Sequence, residues 1–523
     1  MRLRLRGWVG LLAVAVIGAA AVCAWAAGRQ PAWVSVDAAG KLVYRTLPRG
    51  DRIVDFSYAG YMGGGVTLPK VPVARTVAPS GGDDTAAIQR AIDEVSAMAL
   101  KDGFRGAVLL APGTFQCSGP LNIAACGVVL RGSGTGAGGT TLKMTGEPHV
   151  AVAMGGDEKV KALGTPAHIA GAYVPSGAQT ITLDDASPFA AGDSIRITRV
   201  TTPQWLHFMG MDTMVRDGKP EVWVGNAIHT MRRVAARNGN VLTLDVPLTD
   251  SYDRAFLPPE GAEVLKVDVS GGIEQDGVES LHIVAPPRSV AFTDPLFRLV
   301  NLHGLRDGWV RDLAADDTTE GIDAAEDVFR ITMEDVAIHH TTTITSAAKP
   351  ADFSLRGGQL LMLRCSSVGD DEMYVMTGPR NQGPNVVLDS TFRGTGHIQP
   401  HQRWATGLLV DNAHVPGGGI DLMNRGQMGT GHGWAMGWGV VWNSSAATLL
   451  IQNPPGAANW SVGSSGEETT AAMKIIGVHP QDEGPPLPQG YIESPGHVVQ
   501  PASLYKAQLA ERLGAAALKA LEP

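Results

Sequence analysis

Short apolar runs that end in a polar turn recur along this chain. NVVLDS (Asn385 to Ser390), GLLVDN (Gly407 to Asn412) and GVVWNS (Gly439 to Ser444) repeat one strand-plus-turn unit, and QLLMLRCS (Gln359 to Ser366) fits as an earlier copy. Asp389, Asp411 and Asn443, taken as the repeated polar position, lie 22 and 32 residues apart. Such periods predict a solenoid, in which no coil buries its apolar face alone and stacked coils share a core. Counting back from the polar position, Arg380, His401 and His432 fall nine, ten and eleven residues earlier. With coils stacked at about 4.8 Å, these three are expected to form a column.

Elsewhere the pattern changes. In SGGDDTAAIQRAIDEVSAM, Asp83 or Asp84 caps a helix whose apolar stripe is Ala87, Ile88, Ala91, Ile92 and Val95. GAVLLAPGTFQCSGPLNI and GVVLRGSGTGAGGTTLKM follow as strand, glycine turn, strand. Between Val150 and Val267, GAQTITLDDASPFAAGDSIRITR and NGNVLTLDVPLTDSY alternate apolar and polar residues, as antiparallel strands do. A small β subdomain inserted into the coils is expected there. SLYKAQLAERLGAAALKAL predicts a C-terminal helix with Leu504, Leu509, Leu513 and Leu518 on its apolar side.

The GDDTAAIQ helix followed by LLAPGTF and VVLRGSG resembles the start of the pectate-lyase-like superfamily. That resemblance implies an all-β fold, a right-handed single-stranded parallel β-helix with a capping helix. It extends through coil repeats over most of Gly81 to Gly477, but its members include lyases, glycosidases, epimerases and phage tail fibres, so it does not fix the chemistry. The expected organisation is a signal peptide at 1–27, cap and first coils at 28–149, the inserted subdomain at 150–267, coils carrying a groove at 268–478, and a proline-rich tail with the final helix at 479–523.

The first segment has Arg2, Arg4 and Arg6, an apolar run from Trp8 to Ala26, and an Ala24-Trp25-Ala26 end. That is the pattern of an export signal, and predicts a secreted or periplasmic protein; an uncleaved segment would anchor it to a membrane. A net charge of −9 argues against nucleic acid as a partner, while 65 glycines favour turn-rich β structure. Cys117 and Cys126 are spaced for a disulfide in an exported chain, and Cys365 is expected to be a core thiol.

Candidate chemistry concentrates between Gln399 and Asn443. β-Elimination from a uronate needs a base for the C5 proton, a cation on the carboxylate, and an acid for the leaving oxygen. His401 and His432 suit the proton transfers and Arg403 and Arg425 the carboxylate. Arg380, Gln402, Trp404, Trp434, Trp438, Trp460 and Trp205 are expected to bind substrate, the tryptophans by stacking on sugar rings. The expected function is therefore a polysaccharide lyase acting on an acidic glycan. A glycoside hydrolase using Asp370 and Asp371 in the same groove is the alternative, although both serve equally well as turn residues; a non-catalytic glycan-binding solenoid is a third. No cofactor is expected, with calcium on Asp316, Asp317, Asp370, Asp371 or Asp389 left open. GSGTGAGG (Gly132 to Gly139) lacks the Lys-Ser/Thr of a phosphate loop, and no G-x-S-x-G elbow occurs.

Overall fold

The computed structural model describes residues 32–213, 215–216, 219–220, 223–291, 293–343, 350–470 and 487–523. The expected signal segment and most of the proline-rich run lie outside the described residues.

Three parallel ladders run through the molecule, and the chain visits them in rotation. The first extends from Val73–Val77 through Gly106–Leu110 and Val128–Arg131 to Trp460–Val462 and Tyr491–Glu493. The second extends from Gly113–Cys117 to Ser465–Glu468, and the third from Leu121–Ile123 through Val150–Gly155 and Arg298–His303 to the far end of Ser445–Ile451. This is a three-sheeted parallel β-helix, the architecture that the N-terminal motifs imply. Its core is built of columns of like residues. Val108, Leu130, Val278, Val310, Met333, Met362, Val387, Val410 and Val441 stack one per coil and are all fully buried. Each such side chain contributes about 1.5–3 kcal/mol by leaving water.

From Ser280 to Asn443 the corner between first and second sheets is a single left-handed residue in successive coils. Ser280, Asp312, Asp335, Arg364, Asp389, Asn412 and Asn443 occupy it with φ between 46° and 57°. Asp and Asn tolerate this region better than most residues, which is why the apolar runs end in them. The repeated polar residue of GLLVDN is therefore Asn412 and not Asp411: the Asp389 amide donates to the Asp411 carbonyl, and the Asn412 amide to the Trp442 carbonyl.

The helix Thr85–Ser96 covers the open end of the first coils through Ile88, Ala91, Ile92 and Val95. Val150–Gly155 is a coil strand, so the excursion begins after it and not at residue 150. It forms a six-stranded antiparallel sheet in the order Lys159–His168, Glu263–Ser270, Ser194–Val200, Ala227–Asn238, Val241–Leu244 and Thr180–Thr182. Cys117 points into the coil core while Cys126 sits on a turn, and Cys117, Cys126 and Cys365 are all free thiols. The disulfide that their spacing allows is not formed; burial pushes the Cys117 thiol up to about 12.

An N-terminal hairpin, Val34–Val36 with Leu42–Tyr44, and the C-terminal helix Leu504–Leu513 close together over the outer side of the first sheet. Leu504 and Leu509 are fully buried there, whereas Leu513 is exposed. Asp411 lies beneath this helix, its carboxylate accepting from the Tyr505 amide at 2.8 Å and from the Ser503 hydroxyl at 2.7 Å. Burial raises its pKa to about 7, against the opposing pull of those two hydrogen bonds. Because the folded state holds this proton more tightly than the unfolded chain does, stability at this position is complete at low pH. It is lost as pH rises from about 4 through 7. Asp411→Asn should accordingly melt a few degrees above the parent at pH 8, with the difference vanishing near pH 4; thermal unfolding at the two pH values checks it.

Candidate functional site

The corner between the third and first sheets is longer and more irregular than the others, and arginine recurs on it. Arg356 follows Ala351–Leu355, Arg380 follows Met373–Thr377, Arg403 precedes Ala405–Asp411, and Arg425 follows His414–Leu422. The Arg380 amide donates to the Arg403 carbonyl at 2.7 Å, and the Arg403 amide to the His432 carbonyl at 3.0 Å. The column is thus Arg380, Arg403, His432, with His401 two residues off its expected place. Arg380 and Arg403 are held at φ 57° and 58°, a left-handed conformation that costs a bulky side chain on the order of 1–3 kcal/mol and clusters at functional sites.

At the upper end of this corner, four of the expected residues meet. The His401 and His432 rings lie 4.7 Å apart edge to face. Arg425 donates to the His401 carbonyl at 2.7 Å, and Arg403 to the Thr430 hydroxyl at 2.7 Å. Gln402 sits half-buried in the same turn. Burial, and after it the charges of Arg425 and Arg403, holds His401 at about 3. Burial, then Arg425, His401 and Arg403, takes His432 to about 2. Both rings are therefore neutral at working pH and too weakly basic for efficient proton transfer. His432 is only 8% exposed, with its Nδ1 buried and unpartnered. The expected base and acid form a closed cluster here.

The tryptophans are not open platforms. Trp205, Trp223, Trp404 and Trp434 pack together with Met209 and Met211 where the inserted sheet meets the coils. Their indole N–H groups are used in that packing: Trp404 donates to Asp250 at 2.9 Å, Trp434 to the Met209 carbonyl at 3.1 Å and Trp223 to the His432 carbonyl at 2.9 Å. Trp438 and Trp460 are buried beneath the N-terminal hairpin and the C-terminal helix. Trp205 and Trp404, both buried, line a cavity of about 250 Å³ together with Arg49, Tyr173, Phe208 and Phe256.

Asp370 and Asp371 lie on a different corner, between the second and third sheets. Asp370 accepts from the Thr395 amide at 3.2 Å and the Asp371 amide donates to the Thr395 hydroxyl at 2.8 Å, so both are turn residues outside the arginine corner. Among the described residues, no three of the five aspartates considered for calcium bring carboxylate oxygens within 4.8 Å of one another. Asp316 accepts from His282 and His339, Asp317 from Thr341, and Asp389 from Lys506.

The open part of the arginine corner is a groove of about 410 Å³ between the inserted sheet and the coils. His229, Asn226 and Met231 line it from the insert; Glu326, Phe329, Arg356, Arg380, Asn381 and Gln382 line it from the coils. Arg380 packs over Gly225, where a Cβ would come within 3.2 Å of its guanidinium, and lies 3.9 Å from Glu326. Arg356 is fixed on Asp323 through two hydrogen bonds, and Asn381 anchors the turn by donating to the Arg356 carbonyl at 2.7 Å. His229 is exposed, its Nδ1 3.1 Å from the Thr198 hydroxyl. Partial burial and then the charges of Arg196 and Arg380 hold it below the ordinary histidine range. Of these residues only Arg380 was expected from sequence.

No family model matches the chain, and no curated protein does. Solved structures similar to it include the tailspike protein gp49 from Pseudomonas phage LKA1, at 13% identity over 74% of this chain and 69% of that one, with a TM-score of 0.40. The Gp54 tailspike of Acinetobacter baumannii bacteriophage AP22, in complex with A. baumannii capsular saccharide, has 12% identity, 79% and 71% coverage and a TM-score of 0.30. A polygalacturonase from Erwinia carotovora ssp. carotovora has 12% identity, 77% and 95% coverage and a TM-score of 0.28.

The neutral histidine pair sets an acid limit. Its contribution to stability is present above the ordinary histidine pKa of about 6.5 and is lost as pH falls below it toward the depressed folded values. Removing the charge of Arg425 by Arg425→Met should raise both ring pKa values, read by NMR titration of the histidine Cε1 protons. It should also make the loss of melting temperature between pH 7 and pH 4.5 shallower than in the parent, despite a general cost of about 1–3 kcal/mol for the lost hydrogen bond.

Proposed function

We propose that this chain binds a uronate-containing glycan in the groove between inserted sheet and coils and cleaves it by β-elimination. The observation that carries this reading is the meeting of His229, Arg356 and Arg380 on one open, 410 Å³ groove. Arginine clamps a carboxylate through paired hydrogen bonds and so acidifies the adjacent C–H. Arg380 is the cation available for that role, because Arg356 is committed to Asp323. In the tautomer that donates Nδ1–H to the Thr198 hydroxyl, His229 presents the Nε2 lone pair as base. The proton leaves C5 for Nε2, the C4–O bond breaks as the C4=C5 double bond forms, and the leaving oxygen takes a proton, which the same histidine can return. His401, His432, Arg403 and Arg425 then act as the packed support of the arginine corner.

Hydrolysis needs two carboxylates flanking one bond. Glu326 is the one acidic side chain among the residues lining the groove, and Asp370 and Asp371 are on another corner. The N-terminal segment supports export to the periplasm or the medium, where polymeric glycans are met.

A panel of acidic polysaccharides followed by the ultraviolet absorbance of the unsaturated uronate tests the reading. His229→Ala is expected to lower kcat by about 10²–10⁴-fold with glycan binding retained, and Arg380→Ala both to raise KM and to lower kcat, because the one guanidinium binds the carboxylate and acidifies the C5 proton. New reducing ends without absorbance would transfer the chain to hydrolysis. Binding without either product would leave a glycan-binding solenoid.

A further inference from the structure

We propose that His340, Asp352 and Glu372 form a binding site for a divalent transition-metal ion of the Zn²⁺ or Mn²⁺ type. The site is separate from the arginine corner and lies at the other edge of the third sheet, where the second sheet turns into the third. His340 is the first residue beyond Phe329–His339, Asp352 is the second residue of Ala351–Leu355, and Glu372 immediately precedes Met373–Thr377 in the next coil. The fold thus brings together three residues separated by 12 and 20 positions in the chain.

Each offers one donor atom, and all three donors lie within 4.8 Å of one another. The His340 Nε2 and the Asp352 Oδ1 are 2.7 Å apart. The side chains of His340 and Asp352 are 6% and 2% exposed, and Glu372 is 5% exposed. Asp352 is oriented from behind, its other oxygen accepting from the buried Ser367 hydroxyl. A carboxylate held by a second partner in this way is the arrangement that fixes metal ligands. No lysine or arginine among the described residues makes an ion pair with Asp352; its partners are His340 and Ser367.

The donor set selects the class of ion. One imidazole nitrogen with two carboxylate oxygens suits borderline divalent metals, whereas calcium takes oxygen alone and more of it. Metal–ligand bonds of about 2.0–2.2 Å place neighbouring tetrahedral donors about 3.3 Å apart. The His340 and Asp352 donors, 2.7 Å apart, need to part by about half an ångström, and Glu372, whose donor lies within 4.8 Å of both, to close by at most about 1.5 Å. The entering ion takes the place of the hydrogen shared between His340 and Asp352 and binds the deprotonated ligands, the proton passing to solvent. Among the described residues no other trio of histidine, cysteine or acidic side chains gathers its donors this closely. The nearby His282, Asp316 and His339 are half-buried to exposed and serve as a control.

The test takes the mature protein, strips it with EDTA, and titrates it with ZnCl₂ or MnCl₂ by calorimetry, with thermal unfolding in parallel. One equivalent is expected to bind and to raise the melting temperature. His340→Gln and Glu372→Gln should each weaken binding at least tenfold and abolish the metal-induced rise, while His339→Gln leaves both unchanged. Pulsed EPR of Mn²⁺ on the unsubstituted protein provides a readout that does not depend on any variant folding, and an imidazole nitrogen signal is expected. No stoichiometric binding, binding unaffected by both substitutions, binding lost in His339→Gln instead, or Mn²⁺ without nitrogen coordination would each overturn the proposal.

Discussion

The left-handed corner between first and second sheets is the constraint on which the rest of the molecule depends. A coil can stack in register on its predecessor only if each turns at the same residue, and here that residue holds φ near 50° from Ser280 to Asn443. Fixing this one dihedral per coil aligns the inward columns of valine, leucine and methionine beneath it. It also sets the outward residues one position away, so that Asp411 faces the C-terminal helix while Val410 faces the core. A slip of one residue would exchange those two environments, burying a carboxylate among aliphatic side chains.

With that corner fixed, the other two are free to vary, and they diverge in chemistry. The corner after the third sheet carries arginines in successive coils and, at its upper end, two histidines kept neutral by burial and by those same charges. The corner after the second sheet carries aspartates, a glutamate and histidines joined by hydrogen bonds, as in His340 with Asp352 and His282 with Asp316. A parallel solenoid thus separates cationic from acidic chemistry on two edges of one body, using residues that lie in every case within a few positions of a strand end.

Much of the fold was legible because it is local. The helix stripe of Ile88, Ala91, Ile92 and Val95, the coil strands and the alternation of the inserted sheet all follow from the period of apolar residues. The register was legible only to within one residue. Asp411 and Asn412 are both polar, and choosing the first placed His401 in the column; nine positions back from Asn412, as from Asp389, stands Arg403. Long-range docking hid the rest. Trp205 and Trp404 read as sugar platforms until the inserted sheet is seated on the coils and covers them. His229 sits on a strand of ordinary alternation, and which side of it faces a groove depends on that same docking. Asp370 and Asp371 resembled a catalytic pair in a stretch where the turn itself demands such residues.

The inserted sheet has a mechanical consequence. Solenoid coils contact only their neighbours, so a bare stack can fray from an end or open in the middle one coil at a time. This insert leaves the stack after Val150–Gly155 and touches it again far along: Arg232 on the Gly383 carbonyl, Thr249 on Thr406, and Trp223 on His432. It therefore spans about 30 Å of the stack, at some 4.8 Å per coil, like a splint fastened at both ends. Coils that would otherwise melt independently are bound into one cooperative unit, and the groove beneath the splint keeps its width only while that unit holds.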